Sequence, residues 1–189
     1  IIGAYGIARN LTVLRQTEKI IVTKKNYLEA NAAFLEALMQ KELDPESLQE
    51  SLSQIGQAID VDRIYYYSLT ADPATGAPQL SLQTEWSSNH APGRDRESSF
   101  QALSLKKVCL LLGQSNLSMP FSAITSELPE GELKQLLELQ QIKSSLILPI
   151  FLEDKLLGLI GYNDCRRERH WSDDELMFLR TLANILTTA

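Results

Sequence analysis

Two strand-length apolar runs stand three polar residues apart late in the chain. Residues 145–152 read SLILPIFL, residues 156–162 read LLGLIGY, and Glu153-Asp154-Lys155 joins them. So short a connection permits only antiparallel pairing, because a parallel crossover needs about a dozen residues. A lone hairpin is marginal in water and needs further strands or a helix on its apolar face. A helix follows directly. Ser172 with Glu175 three positions on forms a capping box, and Asp173 and Asp174 add acidic charge to the first turn. Leu176, Leu179, Leu182, Ala183 and Leu186 make its apolar stripe.

The pattern recurs upstream. Asp44-Pro45 starts a helix whose Leu48, Leu52, Ile55 and Ile59 share one face, with Gly56 inside it for close packing. Residues 61–69 are dense in β-branched and aromatic residues, 71–78 are turn-forming, and Leu80, Leu82, Thr84 and Trp86 alternate on a second arm. Residues 89–97 read as a loop, 120–128 as a short strand and loop, and 129–139 as a helix with Leu133, Leu136 and Leu137 inward. The pattern of 100–113 selects no element. Helix, hairpin, short elements, helix, hairpin and helix in that order predict an α+β domain on an antiparallel sheet.

The first forty residues differ. Residues 1–8, IIGAYGIA, resemble a strand without its sheet. Across 13–40 Leu14, Ile21, Leu28 and Leu35 recur every seven residues, while the companion positions Thr17, Lys24 and Asn31 are polar before Leu38. This fits a helix seamed to a partner helix or a helix laid on its own domain.

With 18 basic against 24 acidic residues, net −6, the charge argues against a nucleic-acid partner. Two cysteines, Cys109 and Cys165, without CxxC spacing read as reduced thiols of a cytoplasmic protein. No apolar run reaches the roughly 20 residues of a membrane span, so no membrane contact is expected. The chain, 189 residues without an initial methionine or a signal peptide, reads as part of a longer protein.

Several phrases are familiar. Residues 57–67, QAIDVDRIYYY, then Glu85-Trp86, resemble the opening of a GAF domain. IKSSLILPI at 142–150 resembles its central strand, and LLGLIGYND at 156–164 with RHWSDDE at 169–175 its closing hairpin and helix. The resemblance covers roughly residues 30–189 and is weakest over 88–118. Residues 1–12 are similar to the last strand of a PAS domain and its exit. The domain order implied is the end of a PAS domain at 1–12, a signalling helix at 13–40 and a GAF domain at 41–189. It is similar to that of bacterial sensor histidine kinases and diguanylate cyclases.

The resemblance implies about six antiparallel strands with helices on both faces, a long N-terminal and a C-terminal helix bundled together, and a ligand cavity beside the sheet. It also implies a homodimer through the terminal helices, with PAS and output domains as neighbours in the same chain. Tyr65, Tyr67, Trp86, Ser145, Ile147 and Asn163 fall at pocket-facing positions and are the expected ligand residues. The same residues serve equally as core, each hydroxyl satisfied internally. A packed interior would make the domain a ligand-free dimerisation and relay module; a void with converging polar groups would make it a sensor.

Catalysis is not expected. His90 and His170 stand outside any nucleophile motif, and Asp164, Cys165 and His170 match no zinc spacing. Two distant cysteines do not reproduce those of the GAF-fold methionine sulfoxide reductases. Phytochrome-like GAF domains attach a bilin to a cysteine on the helix before the IKSS strand. Here that helix, ELKQLLELQ, has neither Cys nor His, so no covalent bilin is expected. The NKxDE motif of cyclic-nucleotide GAF domains is absent. No cofactor is implied, and a non-covalent small molecule is the ligand class left. The basic runs Lys106-Lys107 and 166–169 read as solvated faces.

Overall fold

The computed structural model describes residues 45–91 and 100–185, with ten single positions between 14 and 32. The strand expected at residues 1–8, the 1–12 domain end, and residues 92–97 of the expected loop lie outside these. The ten positions within 13–40 are all helical and exposed.

Helix α1, Pro45–Ile59, lays Leu52, Ile55 and Ile59 against the sheet, as its periodicity predicts. It ends where Asp60 turns to φ 54° and the Val61 N–H reaches the Gly56 carbonyl at 3.0 Å. An aspartate tolerates this left-handed corner better than most side chains. Strands β1, Arg63–Ala71, and β2, Pro78–Ser87, form the first hairpin. In its turn Asp72 accepts the Ala74 and Thr75 N–H groups at 2.7 and 2.9 Å. Strands β5, Ser144–Leu152, and β6, Lys155–Asp164, form the last.

Residues 100–113, unassigned from sequence, hold the three-residue strand β3, Ala102–Ser104, and helix α2, Leu105–Leu111. A three-residue edge strand is too short to show alternation. The helix is two turns long and begins without a side-chain cap, so neither signal rises above its neighbours. Strand β4, Phe121–Ile124, follows. Helix α3, Glu132–Leu139, starts three residues later than expected. Helix α4, Asp173–Ile185, opens on the predicted capping box. Ser172 N–H donates to Glu175 Oε2 at 2.8 Å and Glu175 N–H to Ser172 Oγ at 3.3 Å.

The six strands run antiparallel in the order β3-β2-β1-β6-β5-β4, so the two hairpins meet at the centre through β1 and β6. α1 and α4 cover one face, where Ile64, Leu146, Leu148, Ile160 and Tyr162 meet them. α2 and α3 cover the other, over Tyr65, Tyr67 and Leu159. Helices on both faces of an antiparallel sheet confirm the predicted α+β class.

One expected cavity residue is misplaced. Trp86 lies on the α1 side, because its register partner is Ile64 and cross-strand partners share a face. Its ring fills the gap over Gly56, where any Cβ would overlap it. The close packing expected of Gly56 is therefore packing against Trp86.

Candidate functional site

Between the sheet and helices α2 and α3 lies a cavity of about 390 Å³, within the size range of small-molecule sites. Five of the six residues expected there line it. Tyr65 and Tyr67 come from β1, Ser145 and Ile147 from β5, and Asn163 from β6. The sixth, Trp86, is on the far face. Strand alternation explains the grouping, since residues two apart share a face. Gly161, opposite Tyr65, leaves the space that the Tyr65 ring occupies, and a Cβ there would overlap it. Tyr65 and Tyr67 meet edge to face, 5.7 Å between centroids. The Tyr67 hydroxyl donates to the Phe100 carbonyl at 2.8 Å.

The wall is mainly apolar, from leucines of α2 and α3 and from Phe100 and Phe121. Among its polar side chains, Ser145, Asn163 and Gln140 adjoin a polar row on the sheet. Ser145, Asn163, Arg63 and Ser87 are successive register partners across β5, β6, β1 and β2, and so form one row on the cavity face. Ser145, Asn163 and Arg63 are each 1% exposed. Ser145 Oγ donates to Asn163 Oδ1 at 2.9 Å. Arg63 reaches Glu85 at 3.5 Å, Ser87 Oγ at 3.3 Å and Gln140 Oε1 at 3.3 Å. Gln140, just past α3, brings that helix into the row. At the exposed rim Lys107 of α2 pairs with Glu132 of α3 at 3.0 Å.

Arg63, Gln140 and the rim pair were not expected from sequence. Arg63 was detectable, because it stands two residues before Tyr65 and shares its face. The other three depend on how α2 and α3 dock. Neither histidine lines the cavity, and neither does Cys109. Burial pushes the Cys109 and Cys165 thiols up, away from the reactive thiolate. Among the described residues no cluster of His, Cys, Asp or Glu could hold a metal, and no helix is long and apolar enough to cross a membrane.

A family model described as GAF domain matches residues 45–189. This chain belongs to the GAF domain family. It is 30% identical, over 96% of its length, to the methanogenesis regulatory histidine kinase FilI of Methanothrix harundinacea. A shorter stretch, 26% of the chain, is 43% identical to the circadian input-output histidine kinase CikA of Thermosynechococcus vestitus. The chain spans only 20% and 7% of these two relatives. Among solved structures it resembles the GAF domain of a phosphoenolpyruvate-protein phosphotransferase from Coxiella burnetii, with TM-score 0.65 at 15% identity over 87% of this chain and 92% of that one. The phycocyanobilin-bound GAF domain of a cyanobacterial phytochrome gives TM-score 0.62 at 15% identity over 86% of this chain and 92% of that one. At such identities the likeness is one of fold.

This GAF domain carries a second polar cluster, where the start of β1 meets the end of β6. The run 166–169, read from sequence as a solvated face, is instead paired. Asp62 is fully buried and accepts the Cys165 N–H at 2.8 Å, the Arg166 N–H at 3.2 Å, Arg166 Nε at 2.8 Å and the Ser88 hydroxyl at 3.0 Å. Burial alone would raise its carboxyl. The Cys165 and Ser88 hydrogen bonds and the Arg166 charge outweigh that and hold it below the usual carboxylate range. Asp60 is lowered too, by hydrogen bonding from Arg166 against partial burial, with Arg167 adding to it. Arg167 also pairs with buried Asp164 at 2.9 Å.

Arg169 ties both helices together. Its Nη1 donates to the Ile59 carbonyl at 2.9 Å, at the end of α1, while Nη2 pairs with Glu175 in the first turn of α4. The guanidinium also lies 4.3 Å over the Trp171 ring. One side chain thus senses the end of one helix and the start of the other.

Proposed function

We propose that this GAF domain is the sensory module of a signal-transduction protein of the histidine kinase type, and that a small molecule in its cavity is the signal. The cavity carries this reading: an apolar chamber with a few buried polar side chains is the usual design of a small-molecule site. The ligand favours one packing of β1, β5 and β6, and the helices on the opposite face follow. A ligand shifts such an equilibrium only by its difference in affinity for the two packings. The domain performs no chemistry itself; the kinase step belongs to an output domain elsewhere in the protein. In this scheme residues 1–12 end a PAS domain, residues 13–40 conduct between the domains, and the protein works in the cytoplasm as a homodimer.

A second reading has its own observation. Leu14, Ile21 and Leu28, at seven-residue spacing, are 58%, 61% and 68% exposed. They suit a helix–helix seam with a second copy, and a relay that needs no ligand would use that seam alone. Native mass spectrometry of the 189-residue chain over a range of concentrations separates the two. The sensor predicts an added mass that is lost on denaturation. A dimer of bare mass would sink the ligand reading and leave the relay.

A further inference from the structure

We propose that the cavity selects an apolar molecule bearing a neutral carbonyl oxygen, and that Asn163 is the residue that reads it. This rests on the ligand reading above and adds the ligand's chemical class. Two hydroxyl donors on the cavity wall are already engaged. The Ser145 hydroxyl proton is spent on Asn163 Oδ1, and the Tyr67 hydroxyl on the Phe100 carbonyl. With Oδ1 accepting from Ser145, the Asn163 Nδ2 is the amide's remaining donor. Asn163 lines the cavity and is 1% exposed, and among the described residues its Nδ2 donates to no acceptor. A ligand oxygen that meets this donor gains a hydrogen bond in a site largely shielded from water. The rest of the wall, leucine and phenylalanine for the most part, suits an apolar body.

Charge decides between a carbonyl and a carboxylate. Arg63 is the cation beside Asn163 in the row, and its Nε already stands 3.5 Å from Glu85 and 3.3 Å from Ser87 Oγ, with Gln140 Oε1 on Nη1. A carboxylate brought here would be buried beside a cation already neutralised, which is costly. A ketone, ester or amide oxygen meets Asn163 without that cost.

Three probes of one shape test this by equilibrium dialysis against the whole chain: 2-acetylnaphthalene, 2-ethylnaphthalene and 2-naphthoate. The ketone should bind about tenfold more tightly than the hydrocarbon, the usual worth of one buried hydrogen bond. Naphthoate should bind more weakly than the ketone at neutral pH. Asn163→Leu should erase the preference for the ketone while leaving hydrocarbon binding in place. Asn163→Asp keeps an acceptor for Ser145 but replaces the donor, so it should also lose the preference, and it decides the matter if the leucine variant fails to fold by circular dichroism. Equal affinity for ketone and hydrocarbon, tighter binding of naphthoate, or a preference that survives both variants overturns the assignment while the ligand reading stands. Saturable binding of none of the three takes down the ligand reading, and this assignment with it.

Discussion

Asp62→Ala should lower the stability of this domain by about 3–5 kcal/mol, the range for breaking a buried charge pair. The loss has two sources. The Cys165 backbone N–H loses its acceptor, at a cost of about 1–3 kcal/mol when buried, while the Arg166 N–H keeps Asp164 Oδ1 at 3.0 Å. Arg166 also loses a partner at 2.8 Å, although it is 37% exposed and water recovers part of that. A fall in the urea midpoint at unchanged slope would show it. Asp62→Asn, which keeps an acceptor oxygen, should lose less. If Asp62→Ala unfolds at the wild-type midpoint, the cluster does not hold the sheet ends together.

The same carboxylate sets an acid dependence. Its folded-state pKa is depressed, so its contribution is whole above the unfolded value, about 3.9, and drains as pH falls through the folded one. Asp60 and Glu175 are depressed as well. For Glu175, burial pushes up and the Ser172 and Arg169 hydrogen bonds push down harder. Wild-type stability should therefore fall steadily as pH drops below about 4. Asp62→Asn should flatten that limb, and equal acid slopes in the two proteins would refute the assignment.

Gly158→Ala should cost about 3 kcal/mol, at the upper end of overpacking penalties. Its partner across β1 is Ser68, and a Cβ on Gly158 would overlap the Tyr67 carbonyl oxygen. That obstacle is backbone, which no rotamer change relieves. The two central strands would have to part where the hairpins join. Thermal unfolding gives the measurement, and an unchanged midpoint would mean that β1 and β6 shift at little cost.

Much of this fold was legible because its signals are local. Capping box, hairpin turn and alternation each act within ten residues, and the residues at 61–69, 145–152 and 172–186 carry them. The cavity wall was legible for the same reason. Tyr65 with Tyr67, and Ser145 with Ile147, are pairs two apart on strands. Trp86 was assigned to the wrong side because its face depends on which residue of β1 it meets, and register is a property of two segments. Asp62 and Arg166 are 104 positions apart, and local charge patterning sees only a lone acid and a basic run. The elements at 102–111 escaped notice because each is shorter than the window over which periodicity can be measured.

The sheet has a tenant on each side. Tyr65 and Tyr67 face the cavity, while Ile64 and Tyr66, their neighbours in the chain, face α1 and α4. Ser145 and Ile147 stand in the same relation to Leu146 and Leu148. Peptide bonds are stiff, so a strand pushed from the chamber carries its opposite side chains with it. The partition between the two compartments is one peptide layer thick, and nothing can be rearranged in one room without moving the wall of the other.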